Sequence, residues 1–130
     1  RYRQKVLCEN ILKLFYELGE PDESFYKSRT LDTLRQHRPL STSGLTRGLK
    51  HLQKQNMLKR DGARWLLTST GRNKGEEVSK LHHLWELYLT QYLKIKPDHV
   101  HEDAESIEHI ITPALAEELR DLVYFDAKQP

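Results

Sequence analysis

Between residues 30 and 68 the order of leucines and helix breakers leaves little choice of fold. Leu31 and Leu34 lie three apart, and Pro39 then closes the stretch. Ser41-Thr42-Ser43 offers capping hydroxyls, and Leu45, Leu49 and Leu52 follow at helical spacing. Proline lacks the amide donor and its ring clashes with the preceding turn, so these leucines belong to two short helices, the first over about 30–37. Met57-Leu58-Lys59-Arg60 and Trp65-Leu66-Leu67-Thr68 then have the look of two strands. Asp61-Gly62-Ala63-Arg64 between them is a hairpin turn, with glycine where a positive φ is wanted. A lone hairpin is marginal in water, so it must pack on the helices. Helix, proline-containing turn, helix and hairpin is the order of a winged helix-turn-helix.

The flanks add helices. Leu7, Ile11, Leu14, Phe15 and Leu18 give a first helix one apolar face, and Gly19 and Pro21 end it. After the hairpin, Thr68 or Thr70 can cap a long fourth helix with a stripe of Val78, Leu81, Trp85, Tyr88, Leu89 and Tyr92. Pro97-Asp98 restarts the chain. Val100, Ala104, Ile107 and Ile111 predict a fifth helix, and Leu115, Leu119, Leu122 and Val123, after Thr112-Pro113, a sixth. The fold class expected is mostly α, in two domains over 1–72 and 73–130.

Composition excludes several classes. With 31% charged and 37% hydrophobic residues the chain is neither disordered nor membrane-spanning, and it lacks any run of about 18–20 apolar residues. A single cysteine, Cys8, cannot build an internal disulfide, which points to a reducing, cytoplasmic setting. The start, Arg1-Tyr2-Arg3-Gln4-Lys5, leads into an amphipathic stretch and not a signal peptide. The only methionine is Met57, so the 130 residues are expected to be a piece of something longer.

The net charge of +2 conceals a dipole. Residues 1–70 hold 14 Lys and Arg against 7 Asp and Glu, whereas residues 71–130 hold 7 against 12 and carry five of the seven histidines. The basic half suits a polyanion. In a winged helix the third helix enters the major groove amino end first, and with its leucines inward its outward face is Ser43, Thr46, Arg47 and Lys50, preceded by Ser41 and Thr42. Arginine can bridge guanine O6 and N7, while Ser and Thr discriminate less. Arg60 and Arg64 at the hairpin tip are placed for phosphate or a minor groove. The bland alternative is a solvated basic helix beside a structural hairpin; the agreement of cap, leucine spacing and hairpin favours double-stranded DNA.

In the acidic half, His82 and Glu86 stand at i and i+4 on the fourth helix and share a face, with His83 turned away from that row. His101, Glu105, Glu108 and His109 fall at i, i+4, i+7 and i+8 on the fifth. Such nitrogen and oxygen donors suit Mn(II), Fe(II), Co(II), Ni(II) or Zn(II); a solvated acidic face with surface histidines is the alternative. Enzyme patterns are missing: there is no His-Glu-x-x-His, and no histidine has Glu three residues before it. No enzyme is expected.

These residues resemble the metal-dependent repressors that include the diphtheria toxin repressor and the manganese transport regulator. The likeness covers nearly the whole chain. It rests on Leu67-Thr68-Ser69-Thr70-Gly71-Arg72 leaving the hairpin, on His82-His83-Leu84-Trp85-Glu86-Leu87-Tyr88-Leu89, and above all on the stretch from Val100 to His109. The resemblance implies a winged helix over 1–72 and a helical metal-binding and dimerisation domain over 73–130. It places His82, Glu86 and His101 on ligand positions of one metal site and Glu105, Glu108 and His109 on those of a neighbour. Position 105 is glutamate here, as in manganese-type members. The family takes further ligands from the first helix; there Val6, which cannot ligate, aligns with a usual ligand position, Glu9 matches a manganese-type one, and Cys8 is adjacent. The connection after that helix is several residues longer than usual, and the SH3-like third domain of larger members is missing. The implied function is a homodimeric Fe(II)- or Mn(II)-dependent repressor that binds operator DNA to control metal uptake. Some relatives of this module are fused to a membrane metal permease. The competing expectation is therefore a metal-sensing domain of such a permease, without DNA binding.

Overall fold

The computed structural model of the chain describes residues 2–91 and residue 117. The expected fifth and sixth helices, and with them His101, Glu105, Glu108 and His109, lie outside the described residues. The elements among the described residues are α1 (Tyr2–Gly19), α2 (Leu31–His37), α3 (Thr42–Lys54), β1 (Leu58–Asp61), β2 (Arg64–Leu67) and α4 (Ser69–Gln91). The chain divides into two compact units, 1–79 and 80–130.

Local chemistry sets the boundaries. The Thr30 hydroxyl accepts from the amide of Thr33 and caps α2; Ser41 accepts from Gly44 and caps α3; Thr68 accepts from Gly71 at the start of α4. Each supplies one of the acceptors that the first turn of a helix lacks. The hairpin runs one residue beyond the expected first strand and stops one short in the second. Asp61 pairs with Arg64, which leaves a two-residue loop of Gly62 and Ala63. Only Gly62 has a positive φ, +63°, the pattern of a type II′ turn, which costs glycine nothing. Arg29 adds a bridge on the outer edge of β2: its amide donates to the Trp65 carbonyl at 2.7 Å and its carbonyl accepts from the Trp65 amide at 2.9 Å. The hairpin is therefore not an isolated pair.

The core of the first unit gathers Cys8, Ile11, Leu12 and Phe15 of α1, Leu34 of α2, Leu45, Leu49 and Leu52 of α3, and Leu58, Trp65 and Leu67 of the hairpin. The inward leucines of α2 and α3 are those the spacing predicts. α1 differs: every residue from Asn10 to Tyr16 is buried, polar Asn10 and Lys13 included. A helix buried all round is a central one, and α1 is covered on more than one side. α3 packs on one side. On another, α4 comes so close that a Cβ at Gly75 would stand 2.7 Å from the carbonyl oxygen of Leu12 and 3.1 Å from the Tyr16 Cβ.

One contact layer fixes the first turn of α4. Tyr16 and Phe25 stack with centroids 5.0 Å apart, and the Arg72 guanidinium lies 4.8 Å from the Phe25 ring and 5.6 Å from that of Tyr16. Arg72 Nη1 also reaches Glu76 Oε2 at 2.6 Å. Phe25 belongs to the connection after α1, which the Asp22–Ser24 hydrogen bonds and the Arg29 side chain on Ser24 hold in place. In the second unit Leu84 is buried, with Leu81, Trp85 and Tyr88 packed against it. The expected stripe on α4 omitted Leu84.

Candidate nucleic-acid and metal-binding sites

α3 presents the predicted face. Ser41, Thr42, Ser43, Arg47 and Lys50 are exposed and Thr46 is half-buried, while Leu45, Leu49 and Leu52 face the core. The helix contains no acidic residue. Its amino end adds unpaired amides and the positive end of the helix dipole. Thr42, Ser43, Thr46, Arg47 and Lys50 line one open groove together with Gln4 of α1 and with His51 and Lys54, which sequence reasoning left out. The Ser41 oxygen already accepts from Gly44 at 3.1 Å, so its remaining capacity is to donate.

The hairpin arginines are both exposed. Arg64 stands opposite Asp61 at the mouth of the turn. Arg60 is not a loose cation at the tip. Its Nε donates to the Gly62 carbonyl at 2.9 Å and its guanidinium lies 5.4 Å from the Trp65 ring centroid. It braces the hairpin while presenting its outer nitrogens.

On α4, His82 is buried and Glu86 half-buried, with His82 Nε2 3.2 Å from Glu86 Oε1. Donors each about 2.1 Å from a shared metal, at angles of about 90–110°, stand about 3.0–3.4 Å apart. The pair therefore has the spacing of one edge of a coordination shell, with the nitrogen and oxygen donors that divalent transition metals accept. His83 is not turned away as expected: its Nδ1 lies 3.3 Å from the same Glu86 oxygen, although the ring is largely exposed. The i to i+3 spacing carries that contact. Among the described residues no three His, Cys, Asp or Glu side chains converge as a metal site.

On α1, Glu9 Oε2 lies 3.6 Å from Lys74 Nζ, a cation already occupying one side of this expected ligand. Val6 is half-buried, and Cys8 is buried, its thiol pushed up by burial and then by the neighbouring Glu9 charge. The buried polar side chains of α1 are Asn10 and Lys13. No sequence signal singled them out, because they fall between the apolar positions of an amphipathic pattern. No helix among the described residues is long and apolar enough to cross a membrane.

Residues 68–130 match the family described as iron dependent repressor, metal binding and dimerisation domain. Among solved structures, the manganese regulator SloR is 26% identical with a TM-score of 0.78, covering 91% of this chain and 54% of its own. ScaR with bound Zn2+ is 29% identical with a TM-score of 0.70, covering 91% and 54%. A probable metal transport system membrane protein of Chlamydia trachomatis is 34% identical over 59 residues, 45% of this chain and 13% of that protein. The chain thus spans about half the length of the solved relatives and a small part of the membrane protein. The first unit is a winged helix-turn-helix, residues 68–130 match the metal binding and dimerisation domain of the iron dependent repressors, and the fold is that of the solved metal-dependent repressors.

Proposed function

We propose that the chain is a metal-dependent transcriptional repressor, activated by Fe(II) or Mn(II), that binds operator DNA as a homodimer in the cytoplasm and controls metal uptake. One observation carries this reading: an acid-free α3, its apolar side buried and its Ser43-Thr46-Arg47-Lys50 side exposed, stands beside a braced hairpin in a chain whose remainder matches a metal binding and dimerisation domain. The DNA-binding part is assigned to 1–72 and the metal-binding part to 73–130. His82 and Glu86 are proposed to hold one metal with His101; Glu105, Glu108 and His109 a second; Glu9 contributes from α1 once released from Lys74. Metal shifts the arrangement of the two recognition helices only by its differential affinity for the two states.

A second reading keeps the metal and drops the DNA: the module regulates a membrane metal permease to which it is joined. The 34% identity to a metal transport system membrane protein favours it. The exposed reading face of α3 favours the first, since a transporter gate has no use for it. A DNA titration with and without Fe(II) or Mn(II) separates them. Metal-stimulated binding to a specific duplex supports the repressor, and no binding to any duplex at low salt supports the permease sensor.

A further inference from the structure

His51 sits on α3, half-buried in the groove lined by Arg47, Lys50 and Lys54 of the same helix and by Gln4 of α1. Arg3 of α1 lines the adjoining cavity with Gln4, Leu7, Arg47 and Gly48. β1 also packs on α3, and α2 shares its core; their charged residues, Lys59, Arg60 and Asp61 of β1 and Asp32, Arg35 and His37 of α2, do not line the groove. Every charged group that lines the groove or the adjoining cavity is therefore cationic. Among the described residues the ring has no hydrogen-bond or ion-pair partner. A groove with three cations, an unengaged imidazole and no carboxylate is complementary to an anion.

The length of α3 says which anion. Ser43 and His51 are eight residues apart, about 12 Å along the helix axis. That is about the width of the B-DNA major groove. With the amino end of α3 among the base edges, His51 and, one turn on, Lys54 leave the groove at its phosphate rim. Histidine changes charge between about pH 5 and 8, unlike the lysines and arginine around it. A phosphodiester oxygen at the rim would favour the imidazolium and accept its N–H.

We propose that His51 is a proton-dependent phosphate contact, so that DNA binding takes up a proton at this residue in each protomer. The proposal rests on the DNA-binding reading above. It gives the chain two opposed responses to acid: metal ligands lose affinity as pH falls, and the phosphate grip tightens.

Phosphate contacts operate on any sequence, so the test uses the full chain without added metal and a mixed-sequence duplex, which keeps the metal sites out of the measurement. Fluorescence anisotropy at low salt, at pH 6 and pH 8, is compared for the wild type, His51→Gln and His51→Lys. The wild type is expected to bind more tightly at pH 6 than at pH 8, relative to His51→Gln, by on the order of threefold per protomer, the size of an exposed ion pair. Its salt slope should steepen by about 0.9 per protomer over the same interval. His51→Lys should match the wild type at pH 6 and exceed it at pH 8. Equal pH dependence in the wild type and His51→Gln overturns the proposal while leaving DNA binding intact. No binding by any of the three at either pH overturns the proposal, and no binding on then adding Mn(II) at pH 8 overturns the DNA-binding reading as well.

Discussion

Arg72 is the side chain whose removal most directly tests how α4 is fixed to the winged helix. Its guanidinium faces two stacked rings at 4.8 and 5.6 Å and reaches Glu76 at 2.6 Å. The cation–π contact contributes about 1 kcal/mol for a site between exposed and desolvated. The i to i+4 ion pair, partly exposed, adds about 0.3–0.5 kcal/mol. Arg72→Ala should therefore destabilise the chain by about 1.5 kcal/mol. With an m-value of about 2 kcal/mol/M, the urea midpoint falls by about 0.7 M. Arg72→Lys keeps the pair with Glu76 but loses the flat stacking surface, so it should lose about half as much. Urea melts followed by tryptophan fluorescence check both, since Trp65 is buried in the core. A double-mutant cycle with Phe25→Leu isolates the ring contact and should return a coupling of about 0.5–1 kcal/mol. Additivity within about 0.3 kcal/mol would show that Phe25 and Arg72 are neighbours without mutual attraction and would refute the reasoning.

His82→Ala and Glu86→Gln should each weaken metal binding in calorimetry, with His83→Ala weaker in effect because its ring is largely solvated; equal losses would remove the His82–Glu86 assignment. Ligands bind deprotonated, so affinity for Mn(II) should fall as pH drops through the histidine range near about 6.5, and a titration flat from pH 8 to 5.5 would count against histidine ligation. Arg47→Ala should cost about 1–3 kcal/mol on a specific duplex and far less on a scrambled one, whereas Arg64→Ala should weaken both alike and lower the salt slope by about 0.9. Arg60→Ala should do the same and also lower the urea midpoint, because that side chain braces Gly62 and Trp65. Cys8, whose thiol burial and Glu9 hold above its ordinary range, should react with iodoacetamide at neutral pH only after unfolding. Because its folded value is raised, its contribution to stability is complete below the unfolded thiol range and is lost as pH rises through the folded one; alkylation of the native chain at the rate of a free thiol would contradict the burial.

What the sequence made legible is what local physics decides. Leucine spacing, Pro39 and the hydroxyls at Ser41 and Thr68 act within four or five residues, and both hydroxyls accept an amide in the structure, as does that of Thr30, which the spacing placed inside its helix. The exposed face of α3 followed from where its leucines point. The features that escaped depend on distant partners. Arg29 meets Trp65 across 36 positions of chain, and nothing near either residue announces that bridge. Gly71 looked like part of a helix start; its small size matters because the Met57 carbonyl occupies the space a side chain would take. The same logic explains α4. Its apolar stripe led the eye to Leu81, Trp85 and Tyr88, yet its buried positions include Ser79 and His82. Periodicity in hydrophobicity cannot register a buried serine or histidine. Burial also changes what His82 can do. A histidine held at 3% exposure, 3.2 Å from a carboxylate, has its ring direction fixed before any ligand arrives. His83, solvated and one residue away, must give up rotamer freedom to reach the same oxygen, so the entropic cost of ligation separates two adjacent histidines that the sequence presents as equals.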